Sequence, residues 1–394
     1  MLYLHIPYCK QACSYCNFHF STRLDGRAEM VDAICRELAL RRGELPPGPV
    51  ASVYFGGGTP SLLTAAELDR LFATLYEFDY LMEEGGGAAG AEITLEANPD
   101  DLDAATLAAL AASPVNRLSI GIQSFAEADL RFMNRAHSAP EAHAAVGRAT
   151  AAGFRDLSID LIYGGQTTTD AVWRQNLATA TDLGVNHISA YALTVEPRTA
   201  LAHRVASGAV PDVSDARFAR QFDLMVDWLT THGYEHYEIS NFCRPGHASR
   251  HNSGYWTGRP YLGVGPGAHS FDGHRRRRWN VSNNARYRRA LAEIHTPADH
   301  AAAFGLLFGE ETLSDTDAYH EFILTGLRRR AGVTLAELRR RFGPGPAAHF
   351  ARSQAANLAA GYFDAAAVAA GGTYRLTPAG IRLADGVIAD GFFP

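Results

Sequence analysis

Leu2-Tyr3-Leu4-His5-Ile6-Pro7-Tyr8-Cys9-Lys10-Gln11-Ala12-Cys13-Ser14-Tyr15-Cys16 is a short apolar run that leads into a loop carrying three thiols. Three and then two residues separate Cys9, Cys13 and Cys16. Thiolates are soft ligands that suit zinc, copper(I) or iron–sulfur clusters. A structural zinc ion wants four protein ligands, usually in CxxC pairs. Three close cysteines can instead hold three irons of a [4Fe–4S] cube and leave the fourth iron open. On spacing alone a zinc site completed by His5, His19 or Cys243 stays open, as do three inert thiols. A strand that ends in a chemically able loop is also the repeating grammar of a β/α barrel.

The next residues repeat that grammar. Strands are expected at Leu2–Ile6, Val53–Phe55, Ile93–Glu96, Arg117–Ile122, Leu157–Ile162 and His187–Tyr191, with helix-like stretches at 28–42, 65–81, 106–112, 141–152 and 170–183 between them. Alternating strands and helices imply a parallel sheet with right-handed crossovers. Six units suit an α/β fold built as an open, partial six-stranded (β/α)6 TIM-type barrel, with a doubly wound sheet as the alternative. A barrel demands functional groups at the C-terminal strand ends. The cysteine loop, Gly56-Gly57-Gly58-Thr59-Pro60, Glu96 with Asn98-Pro99, Gln123-Ser124, Asp160 and Tyr191 all fall at or near such ends. Glycines 56–58 let backbone approach a ligand closely, or simply make a tight strand-to-helix turn. Asp160 within an apolar strand is costly unless partnered. Gly85-Gly86-Gly87-Ala88-Ala89-Gly90 reads as a flexible surface loop.

Composition narrows the function classes. The 394 residues, 47% hydrophobic and 20% charged, suffice for one large α/β domain and a smaller one. A formal net charge of −6 argues against a nucleic-acid partner. No apolar run reaches the roughly 18–20 residues of a transmembrane segment. No basic leader precedes the first strand, so no signal peptide is expected. Five cysteines, three of them clustered, fit a reducing compartment, and a cytoplasmic location is expected. Cys35 and Cys243 read as ordinary thiols.

CxxxCxxC just after a first strand resembles the signature of radical S-adenosylmethionine (SAM) enzymes. The wider context, Tyr3 through Phe18, is similar to the coproporphyrinogen III oxidase-like branch, which holds the oxygen-independent coproporphyrinogen III oxidases and the HemW-type heme chaperones. The resemblance implies a [4Fe–4S] cluster on Cys9, Cys13 and Cys16, and SAM on its open iron. It also implies a SAM site lined by Tyr3, Gly57, Gly58, Thr59, Glu96, Gln123, Arg135 and Asp160. The family continues after that aspartate with a GLPGQT-like turn. This chain reads Gly164-Gly165-Gln166-Thr167, two residues shorter, so a tighter fifth loop is expected.

Past the sixth strand, Val195-Glu196-Pro197 and Pro211 mark a looser connection, and 217–232 reads as a helix with an apolar face. Arg250-His251-Asn252-Ser253-Gly254-Tyr255-Trp256 then gathers an imidazole, an amide and two large aromatics. Such side chains can ligate and stack on a porphyrin, or simply pack in a core. The stretch matches the HNxxYW motif that the heme chaperones link to heme, which makes His251, Asn252, Tyr255 and Trp256 the implied heme residues and His251 the candidate iron ligand. Arg275-Arg276-Arg277-Arg278 reads as a solvated basic loop; heme propionates or an acidic partner are the alternative. The tail is expected to form helices at 318–330, 334–342 and 348–360, a short strand at 374–376 and a closing helix at 377–389. Together they make a winged-helix-like α+β subdomain resembling the family's C-terminal domain. The expected divisions are 1–225 for the partial barrel, 226–305 for a linker with the HNxxYW region, and 306–394 for the C-terminal domain.

Two features separate the family's branches. The oxidases read CxxxCxxCxC, and the position of their fourth cysteine is Phe18 here. They also carry a substantial segment before the cluster, for which Cys9 leaves little room. Both point to a heme chaperone that delivers heme to respiratory membrane hemoproteins. An oxidase that decarboxylates coproporphyrinogen III in porphyrin metabolism is the alternative. The sequence leaves a homodimer open.

Overall fold

The computed structural model describes residues 1–82, 90–294 and 305–393. The glycine-rich stretch at 85–89 lies outside the described residues. Six parallel strands lie side by side in chain order: β1 (Leu2–Ile6), β2 (Ser52–Gly57), β3 (Glu92–Ala97), β4 (Arg117–Gln123), β5 (Asp156–Tyr163) and β6 (His187–Ala192). A doubly wound sheet reverses its strand order at a switch point. Here every crossover steps the same way, and right-handed connections then put the helices on one face. That is the partial-barrel arrangement.

Five crossover helices sit close to where the periodicity puts them, at α1 (Arg27–Arg41), α2 (Ala65–Glu77), α3 (Ala104–Ala112), α5 (Ala139–Ala151) and α6 (Asp170–Asp182), and a short helix that the periodicity does not announce, α4 (Glu127–Phe132), precedes α5. Their starts are set by local chemistry. The Thr64 hydroxyl accepts from the Glu67 amide while the Glu67 carboxylate accepts from the Thr64 amide, a capping box that fixes the first turn of α2. Asp103 caps α3 and Thr169 caps α6 with a single side-chain acceptor each. The core between helices and sheet is built from Leu2, Leu4, Val53, Phe55, Leu95, Leu118, Ile120, Ile159 and Ile188, all fully buried.

Residues 235–264, expected as part of a connecting region, extend the same sheet. β7 (Glu235–Glu238) and β8 (Asn241–Cys243) form an antiparallel pair beside β6. β9 (Leu262–Val264) pairs in parallel with β1 at the opposite edge, Leu2 facing Leu262. The full order is β7-β8-β6-β5-β4-β3-β2-β1-β9.

A second, antiparallel sheet holds β10 (His269–Phe271), β11 (Arg276–Asn280) and β12 (Phe308–Thr312). The arginine run is therefore not a solvated loop. It is largely strand, and three of its four charges are matched within the chain, while Arg276 is exposed. Arg277 pairs with Glu321 at 2.6 Å, Arg278 with Glu44 at 2.7 Å and Glu310 at 3.2 Å, and Arg275 with Asp315. These partners lie far away in sequence, which is why the run reads as free charge.

The C-terminal part is mainly helical, with a core of its own made of Tyr319, Ile323, Leu338, Phe350, Phe363 and Val387. A two-residue ribbon, β13 (Val333–Thr334) against β14 (Thr373–Tyr374), and a single antiparallel bridge between Phe363 and Leu376 supply its β structure. The closing helix expected over 377–389 is broken at Leu383 into Pro378–Arg382 and Ala384–Ala389.

Candidate functional site

The cysteine loop is held by the segment after β4. The Ser14 amide donates to Met133 O at 2.9 Å, Asn134 Nδ2 to Ala12 O at 2.8 Å, and Gln11 Nε2 to Asn134 O at 3.0 Å. Asn134 adopts φ 57°, a left-handed conformation that asparagine tolerates better than most residues. The three thiols are partly exposed and none forms a disulfide. Arg135 donates through Nη1 to Cys13 Sγ at 3.2 Å, and through Nη2 to Asn98 Oδ1 at 2.5 Å and Gly121 O at 2.8 Å. A side chain at Gly121 would press on Arg135, Gln123 and Asn98, so the missing Cβ makes room for this cluster. Burial pushes the Cys9 thiol up to about 11, against the pull of Thr59 and Arg135. The fourth ligands a zinc ion would need are engaged elsewhere. His5 bonds Tyr3 and the His19 carbonyl, His19 bonds Asn284, and Cys243 is buried in β8.

The glycine loop packs directly behind the thiols. Gly57 has φ 106°, and a Cβ on Gly58 would lie 2.5 Å from Tyr8 O. The Gly58 amide reaches Ile6 O at 2.9 Å and the Thr59 amide reaches Tyr8 O at 2.7 Å, so β1 and this loop are stitched together. Gln123 ends β4 with φ 62°, a strained value for a residue with a side chain. Glu96 accepts from Tyr54 Oη at 2.8 Å and from the Gly57 amide at 3.2 Å. Burial, and then the charge of Asp160, push its carboxyl up to about 7. Burial raises Asp160 to about 6, against hydrogen bonds from Ser189 and Ser119.

Tyr3, Glu96 and Asp160 open onto a cavity of about 210 Å3 inside the barrel. The same cavity is lined by His251, Asn252 and Tyr255. Residues that the sequence divides between a SAM site and a heme motif thus share one space. Tyr54 joins them, its ring stacked on His251 at 5.0 Å and its hydroxyl donating to Glu96 at 2.8 Å. The glycine loop itself is farther off: His251 Nδ1 meets Ser52 Oγ at 2.9 Å, at the first residue of β2, whereas Gly56 and Gly57 are its last two. With a rise of about 3.3 Å per residue, those levels are about 16 Å apart.

The motif forms a short helix, Arg250–Trp256, docked at the N-terminal end of the strands. Glu92, at the start of β3, receives its first amides: Arg250 N at 2.8 Å and His251 N at 2.9 Å, with Ser249 Oγ at 3.2 Å. His251 is 2% exposed, and its second nitrogen meets Tyr255 Oη at 3.0 Å. Burial, with nearby positive charge including Arg117, pushes its pKa down to about 3, so the ring is neutral. Trp256 does not line the cavity; its indole lies 5.0 Å beneath the Arg328 guanidinium.

Sequence reasoning missed several lining residues: Tyr54, Arg117, Ser119, Ser158, His187 and Ser189. A signal for them exists. Ser52/Tyr54, Thr94/Glu96, Arg117/Ser119, Ser158/Asp160 and His187/Ser189/Tyr191 are polar at every second position, so each strand turns a polar face inward.

Residues 3–179 match the model of the Radical SAM superfamily, and residues 313–383 that of the HemN C-terminal domain. Over 341 residues the chain is 37% identical to a protein of Mycobacterium tuberculosis named heme chaperone HemW, covering 86% of this chain and 83% of that one. The chain belongs to the radical SAM coproporphyrinogen III oxidase-like family, in its HemW-type branch. A HemW of Bacillus subtilis is 30% identical, with 86% of each chain covered. The crystal structure of coproporphyrinogen III oxidase (HemN) from Escherichia coli shares the fold, with a TM-score of 0.81 at 23% identity over 99% of this chain and 89% of that one. Radical SAM membership implies a [4Fe–4S] cluster and SAM. The donor set fits: three unpaired thiols sit on one pinned loop, with a guanidinium already bonded to one of them. Among the described residues no helix is long and apolar enough to cross a membrane.

Proposed function

We propose that the protein is a heme chaperone, which binds heme, a [4Fe–4S] cluster and SAM and passes heme to respiratory hemoproteins at a membrane. The observation that carries this reading is the 37% identity to a heme chaperone HemW over 86% of the chain. Phe18, at the place of the oxidases' fourth cysteine and 71% exposed, supports it.

In this reading Cys9, Cys13 and Cys16 hold the cluster, and Tyr3, Gly57, Gly58, Thr59, Glu96, Gln123, Arg135 and Asp160 line the SAM site. A bound cluster supplies one-electron reduction of the SAM sulfonium. The chain's own part is positional. Arg135 orients Cys13 and offers its charge to a ligand carboxylate. Gly57 and Gly58 bring backbone close. Glu96 and Asp160 present two carboxyls to hydroxyl or ammonium groups.

His251, Asn252, Tyr255 and Trp256 are the heme-linked residues. The cavity, at about 210 Å3, is below the about 300–1,000 Å3 of sites for drug-sized ligands, so a porphyrin ring does not lie inside it. To reach a heme iron, His251 Nε2 would have to give up the Tyr255 hydroxyl, and the Glu92 contacts that latch the helix Arg250–Trp256 would have to open so that it could swing outward. Residues 1–225, 226–305 and 306–394 act as barrel, heme-motif region and C-terminal cover, in the cytoplasm.

The test is heme titration of anaerobically reconstituted protein beside a coproporphyrinogen III turnover assay. Saturable heme binding without turnover is the expected result. Turnover without stoichiometric heme binding overturns the reading in favour of the oxidase.

A further inference from the structure

The lower half of the barrel cavity holds a charge that the chain does not fully match. Arg117 is 2% exposed and lines the cavity. Its one ion pair among the described residues is to Asp156, with Nε 3.6 Å from Oδ1, beyond hydrogen-bond reach. Nε and Nη2 are buried without a hydrogen-bond partner, and so is Asp156 Oδ1. Buried guanidinium groups are ordinarily bonded throughout, because an unmet donor costs its full desolvation.

Beyond Asp156, the cavity-lining carboxylate that feels Arg117 is Asp160, which stands toward the upper end and accepts from Ser189 and Ser119 rather than from Arg117. His187 is neutral, pushed well below its ordinary pKa by burial and by Arg117, and its nitrogens are taken by Ser158 at 2.7 Å and Tyr237 at 2.8 Å. Asn241, Asn252, Ser189 and Ser249 complete the wall with neutral groups. Glu96 and Asp160 stand at the upper end. Arg117 pairs in register with Thr94, two residues below Glu96 on the same face of β3.

We propose that the lower half of this cavity binds a carboxylate, with Arg117 as its charge partner. The guanidinium fork matches a carboxylate with two parallel N–H donors, and the surrounding amides and hydroxyls can bond the rest of it. The volume admits a short acid or the acidic arm of a larger molecule. Two sources share this chemistry: a free short-chain carboxylic acid, and a propionate arm of a porphyrin. The site stands on Arg117 and the cavity alone; only the second source rests on the heme reading.

The test uses the full chain, with sodium propionate as probe and propionamide as its neutral isostere, in calorimetric titration at fixed ionic strength. Propionate is expected to bind saturably and propionamide not at all. Arg117→Met should weaken propionate by about tenfold or more. Asn252→Asp supplies a carboxylate from within the wall and should abolish propionate binding in a folded protein, which carries the test if Arg117→Met does not fold. Absence of propionate binding, equal binding of propionate and propionamide, or unchanged affinity in both variants overturns the proposal. Heme beside heme dimethyl ester then names the source. Weaker ester binding that Arg117→Met equalises identifies the porphyrin arm, and equal binding with propionate retained identifies a free acid. If heme does not bind at all while propionate does, the chaperone reading falls and the carboxylate site remains.

Discussion

Replacing Glu92 by alanine should release the motif helix. Glu92 is 4% exposed and accepts three hydrogen bonds from Ser249, Arg250 and His251, at 3.2, 2.8 and 2.9 Å. Its removal strands the buried His251 amide and the partly buried Arg250 amide. A buried donor left unbonded costs about 1–3 kcal/mol, and the lost negative charge at a helix start about 0.3–1 kcal/mol. Because Arg250 can turn to water, the sum settles at about 3 kcal/mol. The effect is confined to one short helix, so the readout should be local. Native-state hydrogen exchange at the amides of 251–256 should accelerate by about a hundredfold. Glu92→Gln keeps one acceptor oxygen and should lose about half as much free energy. If exchange in Glu92→Ala stays within about threefold of wild type, the carboxylate is not the latch and the proposed outward motion of this helix loses its basis.

Other perturbations probe the opposite end of the barrel. Arg135→Met removes the donor to Cys13 and to Asn98. Reconstituted protein should then lose iron on desalting and bind SAM about tenfold more weakly or worse, and full iron retention with normal SAM affinity contradicts the assignment. Gly58→Ala puts a Cβ 2.5 Å from the Tyr8 carbonyl oxygen, so a loss of about 1–3 kcal/mol in thermal unfolding is expected, and an unchanged Tm contradicts it. Glu96 is held up at about 7, first by burial and then by Asp160. A carboxyl that binds its proton more tightly folded than unfolded favours the fold below its ordinary value of 4.5, and that advantage is lost as pH rises through about 7. Glu96→Gln should therefore match wild type near pH 5 and exceed it at pH 8 by about 2 kcal/mol, and equal Tm differences at both pH values refute the shift.

The fold is largely legible because its repeated unit is local. Each strand of β1 to β6 lies within two residues of its sequence reading, since apolar runs and caps such as Thr64 and Asp103 act over a few residues. The strands β7, β8 and β9 are three or four residues long and carry no such pattern; they exist because β6 and β1 offer edges. The motif helix is equally unreadable. Gly254, Asn252 and Ser253 are weak helix formers, and its start is fixed by Glu92, 158 residues before Arg250. The placement of Glu96 and Asp160 at the barrel mouth can be read from strand ends. Their sharing a cavity with His251 cannot, because it depends on where a late segment returns to the sheet. The inward polar alternation of the strands is present in the sequence, but it is masked by fully buried neighbours such as Leu118 and Ile159 that read as a continuous apolar run.

The central claim is heme binding by this chain, and one titration addresses it directly. Anaerobically reconstituted protein is titrated with heme and followed through its Soret band, with His251→Ala in parallel and folding checked by circular dichroism. The account predicts a saturable, stoichiometric band in wild type, weakened or shifted in the variant while the fold is retained. Absence of stoichiometric heme binding by wild type contradicts it outright.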